Sequence, residues 1–203
     1  MKMWFRALLV AAALSVLLPF PASAAPFVPG PSSITFAGAR LSCWGGVPLL
    51  SLTLNINPAD TGRPGLVYVG AHDPMQTQGA VLNQYGAWEP FSGAMLNPYI
   101  IRRDGLSLQV VQIPLPNAAD WQGWSVYVGY GALTAEADAM VVKAVASVAT
   151  VRAQFPDRTI PAVNEDHFRR SLIQEDMRKN NKYVFVRSIT PDLIGMCNSS
   201  GGN

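Results

Sequence analysis

Two histidines, two cysteines and a few loop aspartates are the residues here whose types could carry chemistry. His72 stands in Gly70-Ala71-His72-Asp73-Pro74, and a histidine beside a carboxylate is the pairing that general-base or Ser-His-Asp catalysis uses. Neighbours on a strand point to opposite faces, however, so Asp73 is poorly placed to orient His72. A secreted hydrolase using His72 with Asp73 or another carboxylate is therefore the lesser reading. His167, beside Glu165 and Asp166, reads as a solvated residue in the first turn of a helix. Asp60 with Asp73 or Asp104 lacks the dense Asp-x-Asp spacing of a calcium loop. No histidine lies near Cys43 or Cys197, so no metal site is expected.

The glycine words offer no cofactor either. Gly129–Thr134 ("GYGALT") follows an expected strand, where a dinucleotide-binding turn would sit. The fingerprint needs a small third position, and Thr134 stands there. Gly-Lys-Ser, Gly-Lys-Thr and Gly-x-Ser-x-Gly do not occur, which removes the P-loop and the nucleophile elbow. "FSGAM" at Phe91–Met95 lacks the glycine that such an elbow requires.

Aromatic residues are the more suggestive set. Tyr68, Tyr85, Trp88, Tyr99, Trp121, Trp124, Tyr127 and Tyr130 fall in the region read below as strands. Packing is the default for such residues. Trp88 and Trp121 stand in loop-like contexts, and with Tyr85 and Tyr99 they are the candidates for a face that binds a glycan or a protein.

The ends of the chain set the compartment. Lys2 and Arg6 flank an apolar run from Ala7 to Leu18, followed by Ala22-Ser23-Ala24, the order of a cleavable export signal. Twelve apolar residues fall short of the roughly 20 a bilayer-spanning helix needs, and no later segment is longer. The chain is thus read as exported, to the periplasm, the cell surface or the medium, with a signal over residues 1–24. In that setting Cys43 and Cys197 are expected to form a disulfide. Of the 15 Lys and Arg, Lys2 and Arg6 belong to the leader, and the 13 that remain balance 13 Asp and Glu. That balance leaves no cationic field for nucleic acid.

The elements that must position these residues are short strands. After a proline-rich lead-in over residues 25–33, β-type runs are expected at Ile34–Phe36, Leu50–Ile56, Leu66–Gly70, Ala80–Leu82, Ser107–Ile113 and Ser125–Tyr130. Leu50, Leu52, Leu54 and Ile56 alternate with Ser51, Thr53 and Asn55, the mark of a half-buried strand. In Ser107–Ile113 the same reasoning opposes Leu108, Val110 and Gln112 to Ser107, Gln109 and Val111. In both Val-Tyr-Val-Gly words, at Val67 and at Val126, tyrosine faces away from its valines. Asn57–Gly65 is a loop, and Arg103-Asp104-Gly105 is a hairpin-type signal.

Beyond Gly131 the pattern changes. Glu136, Lys143, Ser147 and Thr150 form a helical stripe over Ala135–Arg152, although the valines there favour strand. Asn164–Lys179 reads as a helix capped by Asn164, and Tyr183–Ile189 as a strand. The fold class expected is mainly β: an antiparallel sandwich over residues 34–131 with an α+β extension over 132–197. The tail over 198–203 is expected to be disordered.

The stretches "NPADTGRPGLVYVGAHDP", "YGAWEPFSG" and "LPNAADWQGWSVYVGYG" together resemble a recurring module of exported proteobacterial surface and secreted proteins. The matching residues are Asp60, Gly62, Gly65, Tyr68, Trp88, Gly123, Tyr127, Gly129 and Gly131. The resemblance covers about residues 50–131. It implies an immunoglobulin-type sandwich without catalytic residues, and hence a binding or assembly module of the envelope, surface or secretion appendages. The other readings are the hydrolase using His72 and a carbohydrate-binding module using Trp88 and Trp121.

Overall fold

The computed structural model describes residues 32–197 apart from 92, 94, 117 and 118. The export signal, most of the proline-rich lead-in and the expected tail lie outside the described residues.

The described residues are mainly β, with two antiparallel sheets and three α-helices among them. The smaller sheet has the order β1-β2-β7, from β1 (Phe36–Trp44), β2 (Val47–Leu54) and β7 (Gln109–Pro114). Its hairpin closes at Gly45 and Gly46, whose φ values of 58° and 78° are those a two-residue hairpin turn demands. β2 keeps the expected alternation, with Leu50, Leu52 and Leu54 buried and Leu49, Ser51 and Thr53 half-buried.

The larger sheet is built on two long strands, β3 (Gly65–His72) and β8 (Ser125–Ala132), paired along their whole length. β4 (Gly79–Leu82) and β6 (Ile100–Arg102) pair in succession along the other side of β3. β5 (Trp88–Pro90) extends β4. β9 (Tyr183–Ser188) pairs with β8, so part of the 132–197 extension is a strand of this sheet.

One hydrophobic cluster takes residues from both sheets. Leu50, Leu52, Leu54, Val111 and Ile113 meet Val67, Val69, Val126 and Val128 there, every one nearly or fully buried. The opposite face of the larger sheet carries a second cluster, where Leu66, Tyr68 and Val81 meet Ile173 and Met177 of α2 (Glu165–Lys179). The tyrosines therefore do face away from their valines.

The close fit of α2 depends on Gly129 and Gly131. A Cβ on Gly131 would collide with the Ile173 carbonyl, and one on Gly129 would lie 2.6 Å from the Lys182 carbonyl oxygen. The "GYGALT" word thus serves helix–strand contact, and Thr134 caps α1 (Ala135–Gln154) by accepting the Ala137 N–H at 3.1 Å. The valines of α1 do not divert it into a strand, because alanine, that cap, Glu136 and Asp138 at the start and Arg152 at the end all favour helix. Asn164 caps α2 as expected, its side-chain oxygen accepting the His167 N–H at 3.0 Å.

Three sequence expectations are corrected. The first strand begins at Phe36 rather than Ile34 and runs on to Trp44; its pairing shifts between Ala37 and Arg40, which erases the alternation that would have revealed it. In β7 the two sets alternate as expected, but the buried one is that of Gln109 and Val111, while Leu108 and Val110 are about two-thirds exposed. The buried Gln109 amide is satisfied there: its oxygen accepts from Arg102 Nε at 2.7 Å, and its nitrogen donates to the Ser107 carbonyl at 2.7 Å. Asp104-Gly105 closes no hairpin, since β6 and β7 lie in different sheets. The turn instead docks on the Asn57–Gly65 loop, with Leu106 N–H donating to Arg63 O at 2.7 Å and Gly62 N–H to Leu106 O at 2.8 Å.

The extension is fastened to the β region by a buried ion group. Lys182 Nζ lies 2.7 Å from Asp60 Oδ2 and 2.8 Å from Asp176 Oδ2, and all three side chains are nearly inaccessible. Tyr130 O–H donates to Asp60 at 2.9 Å, and the Ala132 N–H donates to Asp176 at 2.8 Å. Cys43 and Cys197 are bonded, which ties β1 to the residues just after α3 (Pro191–Gly195).

Candidate binding site

Outward positions of the larger sheet alternate along each strand. On β3 they are Leu66, Tyr68, Gly70 and His72; on β4, Gly79 and Val81; on β8, Tyr127, Gly129 and Gly131. α2 covers the end of this face at Leu66 and Gly131. The end at His72 is left open as a cavity of about 340 Å³, bordered on its far side by Phe91, Leu96 and Met177. Gly70 and Gly79 pair with residues bearing side chains, Tyr127 and His72 respectively, and leave the floor of the cavity as bare backbone.

At one wall His72 and Tyr127 stack, with ring centroids 5.2 Å apart. His72 Nδ1 lies 2.7 Å from the Asp73 carbonyl oxygen, and Nε2 lies 3.2 Å from the Tyr127 hydroxyl. A carbonyl only accepts, so this network assigns the neutral-ring proton to Nδ1, and Nε2 accepts from Tyr127. The Asp73 carboxylate is turned elsewhere. It accepts Thr77 N–H at 2.7 Å, Gln78 N–H at 2.8 Å and Thr77 O–H at 2.9 Å, closing the Asp73–Gln78 turn. His72 and Asp73 are therefore adjacent without forming a carboxylate–imidazole pair.

Those hydrogen bonds, the Gln78 N–H foremost, hold the Asp73 carboxyl below its ordinary pKa of 3.8. A carboxyl depressed in the folded state favours folding above its unfolded pKa, and that contribution disappears as pH falls through the folded value. An acid titration followed by NMR at the Thr77 and Gln78 amides is expected to show a midpoint below 3.8, absent in Asp73→Asn.

Tyr68 forms another part of the wall. It is 4 % exposed, and its ring lies with Val81, Leu96 and Met177, which line the same cavity. Its hydroxyl has no hydrogen-bond partner among the described residues. Burial pushes the phenol pKa up, against the weaker opposing effect of the Arg170 charge, so the hydroxyl stays protonated. No Asp, Glu, Lys or Arg lines the cavity among the described residues.

The aromatic candidates are divided by the fold. Trp88, Trp121 and Trp124 form one group within and against the cluster that holds Leu50 and Val67, with centroids 5.3 Å apart for the first pair and 4.3 Å for the second. Trp88 and Trp121 are half-buried, and Trp88 Nε1–H donates to the Pro114 carbonyl at 2.8 Å. Tyr99 O–H donates to the Gln112 carbonyl at 2.7 Å, while Tyr85 is 84 % exposed on the β4–β5 turn.

Sequence reasoning missed Gly70, Gly79, Phe91, Leu96 and Met177. The signal available for Gly70 was its phase: it shares a strand face with Tyr68 and His72, so it had to be the small residue between two large ones. Phe91, Leu96 and Met177 arrive from a loop and a helix, which no strand periodicity can bring together. The chain matches no family model, no curated protein and no solved structure, so a functional reading must rest on its sequence and on this geometry.

Proposed function

We propose that the chain is an exported, non-catalytic binding or assembly module of bacterial envelope, surface or secretion-appendage machinery. The two sheets are taken as the layers of an immunoglobulin-type sandwich, in line with the module that residues 50–131 resemble. The observation that carries the reading is the state of the polar groups around His72. Both ring nitrogens are engaged, and the Asp73 carboxylate holds a turn. A catalyst needs a base free to take a proton from a bound substrate. A preformed cavity lined by that histidine, and by no Asp, Glu, Lys or Arg among the described residues, suits recognition instead.

Export is supported by the long-range disulfide, since such bonds persist in oxidising compartments. Four strands, β1, β5, β7 and β9, end the strand orders of their sheets among the described residues and offer backbone edges to which a partner strand could add. A glycan platform on Trp88 and Trp121 draws less support, because the indoles pack on each other and on the core.

Crosslinking in intact cell envelopes, followed by purification of the chain and mass spectrometry, tests the reading. A stoichiometric envelope protein held in the crosslinked species is expected. A chain that stays monomeric and unpartnered in its native envelope defeats it.

A further inference from the structure

We propose that the hollow beside the β4–β5 turn binds a neutral sugar ring of a glycan, with the Tyr85 ring as its stacking platform. The inference rests on the reading that the chain binds rather than catalyses, and it adds a ligand class. The hollow shares no lining residue with the cavity at His72.

Two independent observations carry it. The first is Tyr85 itself, 84 % exposed and therefore of little use to a core, on a backbone that is firmly held. The Asn83 side-chain oxygen accepts Tyr85 N–H at 2.9 Å and Ala87 N–H at 3.0 Å, and Gly86, at φ 79°, closes the turn with its N–H on the Asn83 carbonyl. A tyrosine fixed in this way offers a large amphipathic surface at low entropic cost to binding. The second observation is the hollow of about 250 Å³ that Tyr85 borders, with Gln84, Glu89, Arg103, Asp166 and Arg170 also along its wall. Gln84, Arg103 and Asp166 make no side-chain hydrogen bond or ion pair to another described residue. The Arg170 guanidinium makes one hydrogen bond, a long one of 3.4 Å to the Leu96 carbonyl. Asn83 joins turn and wall, since its side-chain nitrogen donates to Glu89 Oε1 at 2.6 Å. Asn97 Nδ2 donates to the other Glu89 oxygen at 2.7 Å.

The ligand class follows from the lining. Arg103 and Arg170 only donate, and ionised Glu89 and Asp166 only accept. The amides of Asn83 and Asn97 hold the Glu89 carboxyl below its ordinary pKa, so it stays an acceptor. The two cations and two anions cancel, which favours a ligand of neither sign. A sugar hydroxyl both donates and accepts, and the C–H face of a sugar ring rests on an aromatic ring. A platform bordered by donors and acceptors meets both properties together. The hollow is smaller than the usual site for a drug-sized molecule, so it holds one ring while the rest of a glycan runs outward. An extended peptide is served less well there. β5, the adjoining edge, is three residues long, the shortest of the four, and includes Pro90, which has no N–H to add to a ladder.

Methyl glycosides of glucose, galactose, mannose and N-acetylglucosamine are the probes, read by saturation-transfer NMR on the full chain with its disulfide intact. At least one is expected to bind saturably, with the strongest transfer to the C–H protons of one ring face. Tyr85→Ala is expected to weaken that binding about tenfold, the scale of a stacking contact, and Tyr85→Trp to keep it. Arg103→Ala removes a donor from the wall and is expected to weaken binding roughly three- to tenfold, the value of one hydrogen bond. Both residues are exposed, and near-ultraviolet circular dichroism checks that the variants fold; if one does not, the other decides. Methyl glycosides of glucuronic and galacturonic acid are expected to bind no more tightly than their neutral parents. Absence of saturable binding by every neutral probe, or unchanged affinity in either folded variant, overturns the site. Tighter binding of an acidic glycoside overturns the neutral class, and displacement of the sugar by equimolar tetra-alanine overturns the sugar in favour of a peptide. A negative result together with normal capture of an envelope partner removes this site alone. Loss of the partner itself is the separate failure of the broader reading.

Discussion

Replacing Lys182 by methionine is expected to lower the unfolding free energy by about 3–5 kcal/mol, the loss seen when one member of a buried ion group is removed. The cation stands between Asp60 and Asp176, at 2.7 and 2.8 Å, with side chains that are each 10 % exposed or less. Without it two carboxylates remain in a site that water scarcely reaches. The damage should spread because the three residues come from three places: the Asn57–Gly65 loop, α2, and the turn into β9. Tyr130 would keep its bond to Asp60 but lose the ammonium that lies 5.5 Å from its ring centre. Urea denaturation of wild type and variant measures the change. Adding Asp60→Asn and Asp176→Asn to Lys182→Met is expected to restore much of the loss, since a neutral set carries no stranded charge. A variant within 1 kcal/mol of wild type would show that the ion group is not what fastens the extension.

Removing the disulfide should be nearly as costly. Cys43 and Cys197 are 154 residues apart in sequence, and closing so long a loop restricts the unfolded chain by about 5 kcal/mol on chain entropy alone. Measured losses for native disulfides run lower, so about 2–5 kcal/mol is the expectation for Cys43→Ala with Cys197→Ala. The ends it joins differ. Cys43 lies on the exposed edge strand β1, whereas Cys197 is 7 % exposed and follows Leu193, which is buried in the core. Cleavage should therefore loosen the C-terminal segment before the sheets open. Guanidinium unfolding with and without reductant, with hydrogen exchange over residues 189–197, follows both events. Equal midpoints in the two conditions would sink the prediction.

What the sequence displays of this fold depends on how many residues each element gives to a pattern. β2 and the two Val-Tyr-Val-Gly strands alternate over enough positions to reveal both strand and facing. The second helix is legible because Asn164, its acidic first turn and its basic last turn agree. β5 and β6, at three residues each, are too short for any period. α3 opens on Pro191 and spans only five residues. β7 misleads because Val110 and Val111 are both apolar, and the buried face also carries Gln109, whose amide accepts from Arg102 of another strand. The disulfide is legible from compartment and cysteine count, without geometry. The cavity is hardly legible at all: part of its wall comes from loops and α2, and its floor is set by glycines, which carry no side chain to show a pattern.

The division of labour within β3 and β8 has a consequence for how such a protein could change over generations. Val67, Val69, Val126 and Val128 commit one side of the sheet to the fold, while Gly70 and Tyr127 stand on the other. Successive side chains of a strand point to opposite faces of the sheet and so meet different neighbours. Descendants could therefore exchange the outer residues, and with them the molecules they recognise, while inheriting the same inner row of valines unchanged. Within one lineage, recognition would then diverge faster than architecture. In an alignment, the variable columns would fall at alternate residues of the same strands that hold the fold constant.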